Sequence, residues 1–447
     1  MTARQHYEVL FERHPGNPIL TAANWPYPAH TVFNAAATRL ADGTTLLLCR
    51  VEDRRGHSHL CAARSANGVD GWVIDPAPTF EADPERYPEE LWGVEDPRIT
   101  YVDELGKYAV AYTAFSRGGP GVALALTEDF RTFERCGLVM QPDDKDAALL
   151  PRRIDGNFAL VHRPMHDSGS HVWISYSPDL RNWGGHKLVL QARRGAWWDA
   201  NKVGLSPPLI ETPRGWLMIY HGVRHTASGA LYRLGLALLD LARPDHCLLR
   251  GDMWVFGPEA SYEREGDVGN VAFPCGYTIG SDGDTLMLYY GAADTSIALA
   301  TGSIRQLLRW LDEHGSAVPV PEPPAVRLRP GFPLHDGEAP TPRCDQRDHR
   351  RVRAAGSACA SRASVTQNNS RYAFSKKKRR LAVPWPGWVL EDPSARPRRV
   401  SRPASGAPSA QQTNTWSSAY VTEREYRCPP PVPRAAEAPR PSGRNGS

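Results

Sequence analysis

Gly215-Trp216-Leu217-Met218-Ile219-Tyr220-His221 is a glycine turn that runs into an unbroken aromatic and aliphatic strand, and the chain repeats this pattern five times. The other copies are Gly43-Thr44-Thr45-Leu46-Leu47-Leu48, Gly106-Lys107-Tyr108-Ala109-Val110-Ala111-Tyr112, Gly156-Asn157-Phe158-Ala159-Leu160-Val161-His162 and Gly283-Asp284-Thr285-Leu286-Met287-Leu288-Tyr289-Tyr290. Successive glycines lie 63, 50, 59 and 68 residues apart, which is the length of a propeller blade. A second strand rich in Ala, Leu and Ser follows each copy, at residues 58–65, 121–127, 171–177, 232–239 and 296–301. Three of these end in an acidic turn closed by an aromatic, such as Glu128-Asp129-Phe130-Arg131-Thr132-Phe133. Helical periodicity is almost absent. The pattern predicts an all-β, five-bladed β-propeller in which the first strand of every blade brings residues to one shared cavity. A β-sandwich is the alternative, but it does not call for five similar units.

Around this repeat the chain divides by composition. Ser303 to His314 has apolar residues at helical spacing and predicts a short C-terminal helix. Residues 1–315 are therefore read as the propeller, 316–337 as a linker and 338–447 as a disordered, basic Pro/Arg/Ser-rich tail. Residues 316–447 hold 23 Lys+Arg against 10 Asp+Glu, so of the 53 and 49 in the whole chain the first 315 keep 30 against 39. The net charge of +4 thus hides an acidic body, which argues against nucleic-acid binding by the folded part. Lys376-Lys377-Lys378-Arg379-Arg380 reads as a solvated charge run, with an address or anion-binding tail as the alternative, and a shifted reading frame would also produce such a tail. The eight cysteines form no Cys-x-x-Cys pair and read as free thiols, with neither a metal site nor a disulfide framework. No apolar run has the length of a signal-peptide core or a membrane span, so a soluble cytoplasmic protein is expected.

The chemistry concentrates first in Gly93-Val94-Glu95-Asp96-Pro97-Arg98-Ile99-Thr100. Pro97 is expected to hold Asp96 extended and its carboxylate in place, ahead of a strand. The bland alternative is a solvated charged turn between strands. Four further stretches lie at the ends of the repeated strands: His162-Arg163-Pro164, Asn201-Lys202-Val203-Gly204, Tyr220-His221-Gly222 and Tyr290-Gly291-Ala292-Ala293-Asp294. Taken singly, each has a structural explanation. In a propeller they converge on the channel that holds Asp96. One positioned acid facing Arg163, Lys202 and His221 suits a phosphate dianion, since Arg supplies paired donors and Lys a point charge. An inverting glycosidase needs a second carboxylate to activate water, whereas phosphate as nucleophile needs none.

These stretches resemble glycoside hydrolase family 130, the β-1,4-mannosyl oligosaccharide phosphorylases. The resemblance also includes Lys145-Asp146, Leu238-Leu239-Asp240-Leu241 and Asn270-Val271-Ala272-Phe273-Pro274-Cys275-Gly276, in consistent order from about Asn17 to Thr301. It implies a phosphorylase that cleaves β-1,4-linked mannosides with inversion, using inorganic phosphate as co-substrate and releasing α-mannose 1-phosphate, with no metal or organic cofactor. Asp96 matches the catalytic acid, which in this family is held to pass its proton through the mannosyl 3-hydroxyl. Lys202 and His221 match phosphate ligands, with Arg163 a third. Asn34 and Asp294 match residues holding the mannosyl ring, Glu95 takes a supporting or sugar-contacting role, and Arg50 and Arg117 are further candidates for the same pocket. The chain departs from the family pattern at Leu205-Ser206, where small residues are expected, and at Ala35, where proline or serine is common. Expected partners are a β-mannosyl oligosaccharide and phosphate, with self-association into a homo-oligomer allowed for and the acceptor sugar left open. A β-mannoside hydrolase and a non-catalytic carbohydrate-binding propeller, with Trp92, Trp197 and Trp198 stacking on sugars, are the competing readings.

Overall fold

The computed structural model describes residues 8–165, 169–227 and 229–318. The tail reading for 338–447 and most of the linker reading fall outside these residues. Five antiparallel sheets follow one another along the chain. Blade one comprises Thr31–Arg39, Thr45–Glu52, Ser58–Ser65 and Val73–Ile74; blade two comprises Val94–Val102, Lys107–Ser116, Gly119–Thr127 and Glu134–Met140. Blade three is Asp144–Leu149, Phe158–Pro164, Val172–Ser177 and Gly184–Leu190. Blade four starts with two short pieces, Lys202–Leu205 and Ile210–Thr212, that both pair with Gly215–Thr226, and continues through Gly229–Leu239 and Cys247–Gly251 to Gly315–Ala317. Blade five is Ala272–Ile279, Thr285–Ala292 and Ser296–Ser303, completed on its outer side by the N-terminal pieces Glu12–Arg13 and Leu20–Thr21. The two ends of the propeller sequence thus close the ring within one sheet.

The repeated strand is apolar throughout because both of its faces are buried between blades. Leu46 and Leu48 pack with Val94, Ile99 and Tyr112 of blade two, while Leu47 and Cys49 pack with Tyr289 and Leu299 of blade five. Trp216, Met218 and Tyr220 face Val161 and Ile174 of blade three, and Leu217 and Ile219 face Leu286 and Leu288 of blade five. Each fully buried side chain of this kind stabilises by roughly 1.5–3 kcal/mol. The acidic turns join the third strand to the fourth: Asp129 Oδ1 accepts the backbone N–H groups of Arg131 and Thr132 at 2.8 and 2.9 Å, and Asp179 does the same for Arg181 and Asn182. The helix is Ile304–His314, with Ser303 accepting from Gln306 N at 3.1 Å and Leu307, Leu308, Trp310 and Leu311 buried against blades four and five.

One expectation needs correction. The repeated glycine-turn strand is the second strand of its blade, and the strand beside the channel is the one before it. These inner strands lack a clean pattern because their backbones are broken by bulges: the register slips between Phe33 and Ala36, between Glu95 and Arg98, and between Lys145 and Ala148.

Candidate active site

At those three bulges the backbone turns left-handed at Asn34 (φ 47°), Asp96 (φ 49°) and Asp146 (φ 55°). A bulged residue is released from the pleat, so its side chain is re-aimed, here toward the central pocket. Asn and Asp tolerate positive φ better than other residues with a Cβ. Asp96 is therefore held by a left-handed bulge within Val94–Val102, and neither extended by Pro97 nor placed ahead of the strand. The solvated-turn alternative also fails: Glu95, Asp96 and Arg98 are only 8, 6 and 1 % exposed.

The three bulges and the ends of the second strands enclose a cavity of about 160 Å3. Asp96 lines it from one side. Its Oδ1 accepts from Asn34 Nδ2 at 2.9 Å and from Arg50 Nη1 at 3.0 Å. Arg50 is itself clamped by Glu52 at 2.9 Å, Glu95 at 3.2 Å and Ser58 Oγ at 2.9 Å. Burial raises the Asp96 pKa, but the charges of Arg50, Lys145 and Arg98 and the Asn34 hydrogen bond outweigh it, leaving the carboxylate below its ordinary value. Asn34 sits against Gly291 so closely that a Cβ there would lie 2.0 Å from its Oδ1. That oxygen is buried and has no hydrogen-bond partner.

The opposite side is cationic. Lys145, Arg163, Lys202 and His221 line it around the Asp146 carboxylate. Asp146 Oδ2 accepts from Arg163 Nε at 2.5 Å and lies 3.3 Å from His221 Nε2, while Oδ1 lies 3.4 Å from Arg98 Nη2. Burial opposes its ionisation, yet Arg163, His221 and Arg98 hold it well below the usual carboxylate range. The Arg163 guanidinium keeps one buried nitrogen, Nη1, without any partner. Burial lowers Lys202, as do Arg163 and Lys145 nearby, and burial with the surrounding arginines lowers His221 despite Asp146. The site thus offers neutral imidazole, crowded cations and one unused donor. It is arranged to receive an anion.

Lys202 is placed by its surroundings. Asn201 N donates to Val223 O at 3.0 Å, and the preceding loop is anchored by buried Asp199, which pairs with Arg193 and Arg250 at 3.1 and 2.7 Å. Gly204 allows close contact, since a Cβ would fall 2.5 Å from His221 Cε1 and 2.6 Å from Asp146 Oδ2. The departure at Leu205-Ser206 leaves the pocket open: Leu205 is buried in the core between blades three and four, and Ser206 Oγ lies 3.3 Å from His221 Nδ1. Arg98 donates to the carbonyls of Asp96, Leu205 and Ser206, tying blade two to blade four beneath the pocket. Asp294 completes the ring from the turn after the second strand of blade five, where burial and then Asp96 push its carboxyl up to about 7.

Asn34, Arg50, Asp96, Arg163, Lys202, His221 and Asp294 therefore come together. Glu95 stands behind the pocket wall, engaged by Arg50 and, at 3.8 Å, by Lys145. Arg117 does not join: it is exposed in the turn between the second and third strands of blade two. Among the aromatics, Trp198 is buried, stacked on Tyr220 at 5.6 Å and bonded to Asp252 O; Trp92 and Trp197 are partly exposed outside the pocket lining. Sequence reasoning left Lys145, Asp146, Tyr232 and Phe273 of the lining without a role. A signal for Asp146 exists, because it precedes Gly156 by ten residues, as Asp96 precedes Gly106. Among the described residues no group of three or more His, Cys, Asp or Glu side chains is placed to hold a metal, no helix is long and apolar enough to cross a membrane, and the five cysteines are free thiols.

The family described as beta-1,4-mannooligosaccharide phosphorylase, glycoside hydrolase family 130, matches residues 14–313, all five blades but for the short end pieces Glu12–Arg13 and Gly315–Ala317. The chain belongs to this family of mannoside phosphorylases. A family 130 relative from Ruminococcus albus, a beta-1,4-mannooligosaccharide phosphorylase, is 31% identical over 313 residues, covering 68% of this chain and 91% of its own. A 1,2-beta-oligomannan phosphorylase from Thermoanaerobacter is 36% identical over 279 residues, covering 60% and 88%. The solved structure of beta-1,2-mannobiose phosphorylase from Listeria innocua, in complex with beta-1,2-mannobiose, superposes with a TM-score of 0.62 at 29% identity, covering 68% of this chain and 99% of that one. The family 130 propeller is common to relatives named for both linkages.

Proposed function

We propose that this family 130 protein cleaves β-linked mannosides by single displacement with phosphate, inverting the anomeric carbon and releasing α-mannose 1-phosphate. The observation that carries this reading is the buried, unpartnered Arg163 Nη1 beside Lys202 and His221. A buried donor left unmade costs about 1–3 kcal/mol, which a phosphate oxygen would recover. Phosphate bound there faces the sugar from the side opposite Asp96. Asp96 supplies the proton for the leaving oxygen, directly or through a mannosyl hydroxyl. An incoming dianion and the exclusion of water both raise the Asp96 pKa from its low value, so the acid is loaded when both substrates are present. Asn34, through its free Oδ1, and Asp294, protonated below about pH 7, are oriented to hold sugar hydroxyls.

The hydrolytic alternative needs a free carboxylate to activate water. Asp146 faces the nucleophile side but is engaged by Arg163, His221 and Arg98, and Asp294 stands close to Asp96 with its carboxyl pushed up to about 7 by burial and by that charge. For the linkage, the reading is β-1,4, supported by the family description and by the Ruminococcus albus relative, which aligns over most of its length. The test is to incubate the protein with β-1,4-mannobiose and β-1,2-mannobiose, with and without phosphate, and to follow mannose 1-phosphate by NMR. Phosphate-dependent product from the β-1,4 disaccharide is expected. Equal sugar release without phosphate would overturn the phosphorylase reading, and product from the β-1,2 disaccharide alone would overturn the linkage.

A further inference from the structure

A second cleft, of about 600 Å3, opens between the outer strand of blade two and one face of blade three. Its volume falls within the range of roughly 300–1,000 Å3 usual for ligand sites. One wall is apolar, from Leu138 and Met140. The other presents the indoles of Trp173 and Trp183 with His186 and Arg181. Trp173 Nε1 is buried and unpartnered, an unmade donor of the kind that costs free energy. The Arg181 guanidinium makes no ion pair among the described residues, while its backbone is fixed by Asp179. His186 Nδ1 lies 2.6 Å from Ser175 Oγ, which lies 2.7 Å from His162 Nε2, and His162 Nδ1 lies 2.6 Å from Asp144 Oδ2. This chain, buried from Asp144 to Ser175 and ending at exposed His186, sets the orientation of the imidazoles on the cleft wall.

We propose that this cleft is a second saccharide site, separate from the central pocket, which seats a β-mannosyl oligosaccharide against Trp173 and Trp183. Indole faces offer flat apolar area to the C–H face of a hexose; the Trp183 N–H is already given to Leu180 O at 3.1 Å, so the Trp173 N–H is the indole donor left for a hydroxyl. A guanidinium, an amide from Gln141 and an imidazole around them match a neutral ligand rich in hydroxyls better than they match an ion. The choice of mannosyl chain rests on the proposed function; the site itself does not.

The test uses the full chain carrying Asp96→Asn, so that bound sugar is not turned over, titrated calorimetrically with β-1,4-mannohexaose. Two binding events are expected. Adding Trp173→Ala or Arg181→Ala should weaken one of them by roughly tenfold or more, the loss of one good contact, and leave the other intact. In the otherwise unaltered protein the same two substitutions should keep phosphorolysis of mannobiose within about twofold, because neither side chain lines the central pocket. Arg181 lies in an exposed turn, so that variant carries the test if Trp173→Ala fails to fold. One binding event, or two that neither substitution alters, overturns the proposal. Two events with one lost in the variants, but no phosphate-dependent cleavage by the wild type, would sustain the cleft and sink the proposed reaction.

Discussion

Asp294→Asn removes a carboxyl that the fold holds close to another one. Burial first, and the Asp96 charge second, carry Asp294 from its ordinary 3.8 to about 7. At about 1.4 kcal/mol per tenfold change in proton affinity, that displacement disfavours the native state by about 4 kcal/mol once the group is ionised. The sign follows from which state holds the proton. Below about pH 4 the carboxyl is protonated in both states and has no effect. Between about 4 and 7 the unfolded chain ionises first, so native stability falls as pH rises; above 7 the whole penalty is present. Asn cannot ionise, so the stability of the variant relative to wild type must grow over the same interval. About 1.6 kcal/mol has developed by pH 5, and solvent at the mouth of the pocket screens the remainder, so the gap should widen by about 2 kcal/mol between pH 5 and pH 8.5. Urea denaturation of both proteins in phosphate-free buffer at these two pH values measures it, with other titrating groups cancelling in the difference. An equal gap at both pH values, or one that narrows as pH rises, refutes the reasoning.

Four further outcomes can be checked. Asp96→Asn should reduce phosphorolysis by about 10²–10⁴-fold with the melting temperature preserved, since the amide keeps the shape but has no proton to give; activity within tenfold of wild type would remove Asp96 from the acid role. Lys202→Ala should raise the KM for phosphate by about 10- to 100-fold, the equivalent of a charge-assisted contact of about 1.5–3 kcal/mol, while a change confined to the sugar KM would assign the lysine elsewhere. Asp146→Asn leaves the Arg163 and Arg98 guanidiniums without their shared counter-ion, so the variant should be destabilised by about 3–5 kcal/mol and gain more melting temperature from added phosphate than wild type does; an equal phosphate response would contradict the counter-ion role. Gly291→Ala would place a methyl 2.0 Å from Asn34 Oδ1, so kcat should fall along with the position of Asp96, and unchanged kinetics would show that this contact does not set the acid.

The amino-acid pattern alone determined the blade count, because Leu46-Leu47-Leu48 and its four counterparts must bury both faces and recur at blade-length intervals. It also determined which cations and carboxylates stand near strand ends. The inner strands were illegible for a physical reason. A strand is recognised by its two-residue alternation, and the bulges at Asn34, Asp96 and Asp146 interrupt that alternation where the side chains must turn to the pocket. For the same reason Pro97 misled: local preference favoured an extended Asp96, and blade packing held it left-handed. Only the tertiary structure decided that Arg50 and Asn34 both bind Asp96, that Asp146 meets Arg98, Arg163 and His221 from blades two, three and four, and that Arg117 stays outside. Those pairings join residues 17 to 75 positions apart. No local pattern encodes them; they exist because the ring closes and brings residues of all five blades to one pocket.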